Sequence, residues 1–364
     1  MITRRALTAA LGCLLLSRTA FAQSAPPAGK PGKRRMRDMP YTPLEQIPNH
    51  REYMRDIVIT LAAYGKQRNS SFLAMVRNGP ELLIKEKREY NWETARDPDG
   101  ATDKYLPVGS VIRPYLEAID GMLIDGLFCG RDAIDQTTDA SVTRDLLNAA
   151  GVLRKEGRQV FSIEYCPTAA TRAAVAKKAR EAHILSYLAP DPDKRLARLP
   201  HEHPAEENPR PVTDLADVRN FLPMMHSDRF GSRDEWVAAL GATNYDMLLL
   251  DPFWRDSEAL TAADVKSLRY KALGMPRLVL ATLPIGRATD TRFYWKREWR
   301  PGNPAWLVAP DLIEPSQMIV RYWSAEWKDI IGKYMQGLVD LGFDGVVFDT
   351  AEAYLYFEDL MPIN

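Results

Sequence analysis

Gly342-Phe343-Asp344-Gly345-Val346-Val347-Phe348-Asp349 reads as a short buried parallel strand that starts at an Asp-Gly pair and ends in a carboxylate. A near copy stands far upstream, at Ile119-Asp120-Gly121-Met122-Leu123-Ile124-Asp125. Both follow one pattern: apolar, Asp, Gly, three apolar residues, Asp. Side chains alternate along a strand, so Gly345, Val347 and Asp349 share one face, as do Gly121, Leu123 and Asp125. If both strands are staves of one closed sheet, Asp349 and Asp125 converge at its C-terminal rim, where barrel enzymes keep their chemistry. Asp344 and Asp120 then lie at the opposite rim, in structural roles.

Working outward, eight apolar runs have strand character: 72–76, 121–124, 160–164, 183–188, 221–225, 247–250, 278–283 and 345–348. Helical patterns separate most of them. Residues 50–68 repeat apolar positions at helical spacing, 141–156 are amphipathic, 169–182 are alanine-rich and basic, Thr261 caps 262–273, and 329–341 lead into the last run. Short apolar strands alternating with helices imply a parallel sheet with right-handed crossovers. Eight units in about 300 residues fit an α/β fold, a (β/α)8 TIM barrel over 50–364 with long βα loops. The alternative is a doubly wound open sheet, whose glycine-rich nucleotide loop is not found.

The chain has 364 residues, with 48 basic and 48 acidic side chains and zero formal charge. That balance argues against nucleic acid as a partner, since phosphate binding wants a basic face. Arg4 and Arg5, an apolar run over 6–16 and Ala20-Phe21-Ala22 spell a signal peptide over 1–22, with export to the periplasm or beyond by the general or the twin-arginine route. Residues 23–49 are rich in Pro, Lys, Arg and Gly and read as a flexible basic tether. Nothing after the signal is apolar for long enough to span a membrane, and a monomer is expected. Cys129 and Cys166 each follow an expected strand. They can pair in an oxidising compartment, but the residues alone favour two separate buried thiols. No His spacing completes a zinc site, His201 and His203 fall in a Pro-rich surface loop, and neither metal nor cofactor is expected.

Two connections are long for such a barrel, 85–113 and 287–327, and long ordered loops are often functional. The second holds five of the eight tryptophans. Exposed aromatic rings beside carboxylates suit sugar rings, while the bland reading packs these rings onto the barrel. Paired strand-end carboxylates are the equipment for glycosidic cleavage: one donates a proton to the leaving oxygen, and the other attacks the anomeric carbon or activates water. Further acids end strands at Glu164 and Asp251.

From Arg277 the chain resembles a known family pattern. Leu278-Val279-Leu280 through Ile285-Gly286, then Arg292-x-Tyr294-Trp295, is similar to R-L-V-I-x-Y-x-S-I-G-E-A-E-D-Y-R-x-Y-W. Val320-Arg321-Tyr322-Trp323 resembles V-R-Y-W-D, and 342–349 with Ala353, Tyr354 and Phe357 resembles G-F-D-G-V-Y-L-D-x-x-D-A-Y-E-Y-F. Upstream, 78–83 is similar to Q-N-G-x-E-L-L, 125–130 to E-D-L-F-Y-G, and Glu164-Tyr165-Cys166 to D-Y-C. These patterns belong to the glycoside hydrolase family 114-like proteins, relatives of endo-α-1,4-polygalactosaminidase, some of them labelled cysteinyl-tRNA synthetase-related. The resemblance implies a (β/α)8 barrel, circularly permuted relative to shorter relatives, and secreted action on galactosamine-containing polysaccharide. It implies Asp349 and Asp125 as the catalytic pair. Asp251, Glu164, Arg287, Arg292, Tyr294, Trp295, Tyr322, Trp323, Glu352, Asn78 and Tyr165 are then the expected substrate-binding set. The departures are Asp125 for a glutamate, Arg287 and Thr289 for the acids of G-E-A-E, Ser324 after Tyr322-Trp323, Glu352 for the second aspartate after the last strand, and Glu164 for the aspartate of D-Y-C. Arg287 in particular would welcome an acidic sugar where the family expects a cationic one. Two readings follow: a secreted glycosidase of altered specificity, or a non-catalytic polysaccharide-binding barrel.

Overall fold

Each Asp-Gly pair starts its strand by the same physical device. The carboxylate of Asp120 accepts the Ala74 N–H at 2.8 Å, and that of Asp344 accepts the Val279 N–H at 2.9 Å, so each aspartate satisfies a backbone donor at the foot of a neighbouring strand. Lys66 and Arg269 neutralise the two acids from outside. The glycine that follows allows close approach: a Cβ on Gly345 would sit 2.3 Å from the Leu73 carbonyl oxygen, and one on Gly121 2.9 Å from that of Gln159. The expected structural role of both aspartates is what the coordinates show.

The computed structural model describes residues 43–97, 104–311, 314 and 316–361. The expected signal peptide and most of the expected tether lie outside the described residues. The end of that tether is not loose: a 3-10 turn covers Leu44–Gln46, Ile47 is buried, and its carbonyl accepts the Trp92 indole N–H at 2.8 Å.

Eight parallel strands form one sheet: β1 (Leu73–Arg77), β2 (Gly121–Asp125), β3 (Gln159–Glu164), β4 (Leu185–Leu188), β5 (Phe221–Met224), β6 (Met247–Leu250), β7 (Leu278–Pro284) and β8 (Gly345–Asp349). Their order is β4-β3-β2-β1-β8-β7-β6-β5, so the first and last strands of the chain pair in the middle. The sheet curls into a nearly closed (β/α)8 barrel. β4 and β5 meet at its seam without a hydrogen-bonded ladder, with the Tyr187 and Phe221 rings 6.0 Å apart across it. Pro223 lies in β5, a strand with a ladder on one side only, where a missing N–H is tolerated.

Helices cover the outside: α1 (His50–Arg68), α2 (Lys87–Ala95), α3 (Arg113–Ala118), α4 (Ala140–Lys155), α5 (Ala169–Glu181), α6 (Arg233–Gly241), α7 (Ala262–Leu268), α8 (Ala325–Leu341) and α9 (Tyr354–Leu360). Their starts are chemically marked. Asn49 and Asp139 cap α1 and α4, and Thr261 forms a capping box with Asp264 on α7, which ends five residues before its expected limit because the chain turns at Tyr270.

The described residues of the two long connections build scaffold. The first contains α2, docked on α1 by a buried Arg55–Glu89 ion pair at 2.5 Å. The second folds into a small antiparallel sheet of Arg287–Thr289, Gln317–Val320 and Leu307–Pro310. Its tryptophans pack in a chain: Trp295 on Trp299, Trp299 on Trp306, Trp306 on Trp327, with centroid distances of 5.5, 5.0 and 5.2 Å. Trp327 donates its indole N–H to the Ile285 carbonyl.

Candidate active site

The C-terminal ends of β1, β2 and β8 place three charges side by side. Arg77 ends β1, between Asp125 on β2 and Asp349 on β8. Its guanidinium lies 2.7 Å from Asp125 Oδ2 and 3.3 Å from Asp349 Oδ2, and it also donates to the Tyr165 hydroxyl at 3.4 Å. One cation therefore holds both expected catalytic carboxylates. The backbone on either side is shaped for this. Asn78 and Thr350, directly after β1 and β8, both adopt left-handed conformations with φ of 59° and 62°. Such conformations are costly for residues with a Cβ and cluster at functional sites. Asn78 clasps Asp125, accepting its backbone N–H at 3.0 Å and donating to its carboxylate at 3.3 Å. Thr350 donates its backbone N–H to Asp349 Oδ1 at 2.8 Å. Gly286 is required where the β7 end passes the β8 end, since a Cβ there would meet Thr350 O at 2.5 Å.

The mouth is a cleft of about 630 Å³. Asp349, Asp125, Asp251, Glu352, Arg287, Arg292, Asn78 and Tyr165 all line it. Two of its carboxylate oxygens, Asp125 Oδ1 and Glu352 Oε2, are buried with no hydrogen-bond partner among the described residues. Burial pushes the Glu352 carboxyl up to about 7, helped by the negative charge of Asp349 and opposed by Arg287 and Arg77. Asp251 is likewise raised by burial, against its partner Arg292, which contacts it directly. Arg287 reaches the cleft but is already engaged, lying 2.9 Å from Asp311 and 3.4 Å from Glu352.

Five expected substrate-binding residues lie elsewhere. Glu164 is fully buried beneath the β2 loop, where its Oε2 accepts the backbone N–H groups of Phe128 and Cys129 at 3.0 and 2.9 Å. Burial pushes its carboxyl up to about 7. The Tyr294 hydroxyl accepts the Thr289 N–H, and its ring packs edge-on to Trp327. Trp295 belongs to the tryptophan chain. Tyr322 donates to the His50 carbonyl at 2.9 Å, and Trp323 packs on His50 and Phe357. The cause is common to the four aromatic residues: each ring finds apolar cover or a backbone partner within the scaffold. Among the described residues, the rings lining the cleft are Tyr165 and the imidazole of His226, with no tryptophan.

Cys129 and Cys166 are joined in a disulfide, contrary to the expectation of separate thiols. It ties the loop after β2 to the loop after β3, above the Glu164 anchor. Cys129, Asp135 and Cys166 are also the one group among the described residues with metal-capable atoms close together, and its sulfurs are occupied by the disulfide. His203 is exposed and pairs with Glu207.

Arg77 was not among the residues expected at the site. The apolar run was read as ending at Val76, whereas the strand continues to Arg77. The signal available was position: Arg77 follows its apolar run as Asp125, Asp251 and Asp349 follow theirs.

No family model matches the chain. It is similar to an uncharacterized protein of Thermotoga maritima, 38% identical over 78 residues, 21% of this chain and 24% of that protein. It is also similar to one of Deinococcus radiodurans, 33% identical over 116 residues (32% and 36%), and to one of Methanocaldococcus jannaschii, 26% identical over 152 residues (42% and 43%). The matches span between about a quarter and two fifths of the length of these relatives.

Proposed function

We propose that the barrel hydrolyses glycosidic bonds in a polysaccharide, with galactosamine-containing polymers as the first substrate class. The observation that carries this reading is the convergence of Asp349, Asp125 and Glu352 around Arg77 at the C-terminal mouth. Glycoside hydrolysis needs one carboxylate to attack or to activate water and one carboxyl that keeps its proton near neutrality. Asp349 fills the first role, with Thr350 fixing its orientation. Glu352 fills the second: burial and the Asp349 charge keep its proton, and it lines the same cleft. This shifts the proton donor from Asp125, where the resemblance puts it, to the next carboxyl along the rim. Asp125 then holds Arg77.

Reducing-end release by the purified protein on acetylated and deacetylated galactosaminans and on uronic-acid polymers tests this. Cleavage should fall at least about a thousandfold in Asp349→Asn and about a hundredfold in Glu352→Gln. The Arg77 clamp across both aspartates favours the second reading, a polysaccharide-binding barrel without turnover. Binding that survives both substitutions, with no cleavage of any polymer, would establish that reading instead.

A further inference from the structure

Every other crossover in the barrel lays a helix on its outer face, but the connection from β4 to β5 does not. Among the described residues of 189–220 the one helical element is a three-residue turn, Leu215–Asp217. The place of the missing helix is a cavity of about 890 Å³ at the seam, larger than the cleft at the mouth. It is walled by Ile184, Leu188, Phe221 and Phe230, with Tyr187 and Tyr245. Its rim is strongly one-sided in charge: Arg172, Arg180, Arg198, Arg219 and Arg229 stand against Glu202 and Glu206.

Three of these arginines, Arg172, Arg180 and Arg219, have no ion-pair partner among the described residues. Arg172 and Arg180 lie on the face of α5 that turns to the cavity. Arg219 spends its donors on the carbonyls of Ala216 and Val218, which leave its charge unneutralised. Arg198 is paired, and its partner Asp191 is 1% exposed and fixes the Arg198 guanidinium at 3.0 Å. The basic segment 23–49, with Lys30, Lys33, Arg34, Arg35 and Arg37, has the wrong sign to fill the slot.

We propose that this seam cavity is a second binding site, taking a small soluble anionic amphiphile: an apolar or aromatic body carrying one carboxylate or sulfonate. The volume is that of a ligand pocket, roughly 300–1,000 Å³. The apolar wall of Ile184, Leu188, Phe221 and Phe230 gives the body of such a ligand a surface to bury against. The arginine rim selects an anion over a cation of the same shape. This assignment stands apart from the chemistry at the mouth and does not depend on it.

The test uses the purified protein and the fluorescent probe 1-anilinonaphthalene-8-sulfonate, with dodecanoate and dodecylammonium as competitors below their micellar range. One-to-one saturable binding is expected, displaced by dodecanoate at least tenfold more effectively than by dodecylammonium. The double substitution Arg172→Glu and Arg180→Glu, both on α5, should weaken the probe at least tenfold. Ala176→Trp, which fills the cavity and removes no charge, should block it, and Asp349→Asn should leave it unchanged. Unaltered far-ultraviolet circular dichroism qualifies each variant as folded. The proposal is overturned if the folded protein shows no saturable binding. It is also overturned if dodecylammonium competes equally, or if the folded charge-reversed or Ala176→Trp protein binds as the parent does.

Discussion

Glu352 is the residue where position and charge combine most productively. It follows Asp349 by three residues, so the turn that ends β8 brings a second carboxyl to the same mouth. Its pH behaviour can be worked out in sign. The folded state holds its proton up to about 7, above the ordinary value of 4.5, so its contribution to stability is fully present below about 4.5 and is lost as pH rises through about 7. Glu352→Gln should therefore leave stability nearly unchanged at pH 4. At pH 8 it should raise stability, by roughly 1–2 kcal/mol after allowance for solvent screening. Urea melts of both proteins at the two pH values check this, and a variant less stable at pH 8 would show that the Arg287 contact outweighs burial. Hydrolysis, if Glu352 is the donor, should decline over that same upper limb.

At the scale of elements, the loops above β2 and β3 act as one unit because Cys129–Cys166 closes a span of 37 residues and Glu164 ties the loop backbone from below. Cross-linking a loop of this length stabilises by about 4 kcal/mol in the chain-entropy model. Cys129→Ser with Cys166→Ser should lose about 2–4 kcal/mol and lower the thermal midpoint. Calorimetry of the double variant measures that loss, and an unchanged midpoint would place the constraint elsewhere. The strands were legible because each is a short apolar run, some of them bounded by Asp or Gly, as 121–124, 247–250 and 345–348 are, and length separated them from helices. The mouth was legible where a carboxylate ends such a run, as at Asp125, Asp251 and Asp349. The aromatic loop was misread because tryptophan composition does not say which side of a meander faces in. Trp295, Trp299, Trp306 and Trp327 find one another before they find the cleft. Arg77 escaped because one residue of strand length decides whether its cation faces the mouth.

Across the whole molecule, the sheet is two half-sheets, β1 to β4 and β5 to β8, joined by a single ladder between β1 and β8 and by side-chain packing at the seam. One buried cation ties the middle of the crossover between the halves to the barrel. Lys271 Nζ meets Asp246 at 2.5 Å and donates to the carbonyls of Asn208 and Arg210 at 3.1 and 3.0 Å, with the side chains of the ion pair fully buried. Lys271→Met would strand Asp246 and free the segment around 208–210, at a cost of about 3–5 kcal/mol. Limited proteolysis should then cut first in that segment, and parent-like resistance there would show that the segment is held by other contacts.

The pairing of first strand with last has a consequence for how the chain comes into being. A polypeptide emerging from the ribosome carries Arg77 and Asp125 more than two hundred residues before Asp349. Until β8 arrives, β1 stands as an open edge, and the one guanidinium that later joins both aspartates has a single carboxylate partner. The charge arrangement of the mouth is thus the last thing the molecule acquires, and a nascent or truncated chain lacking its final strand cannot carry it.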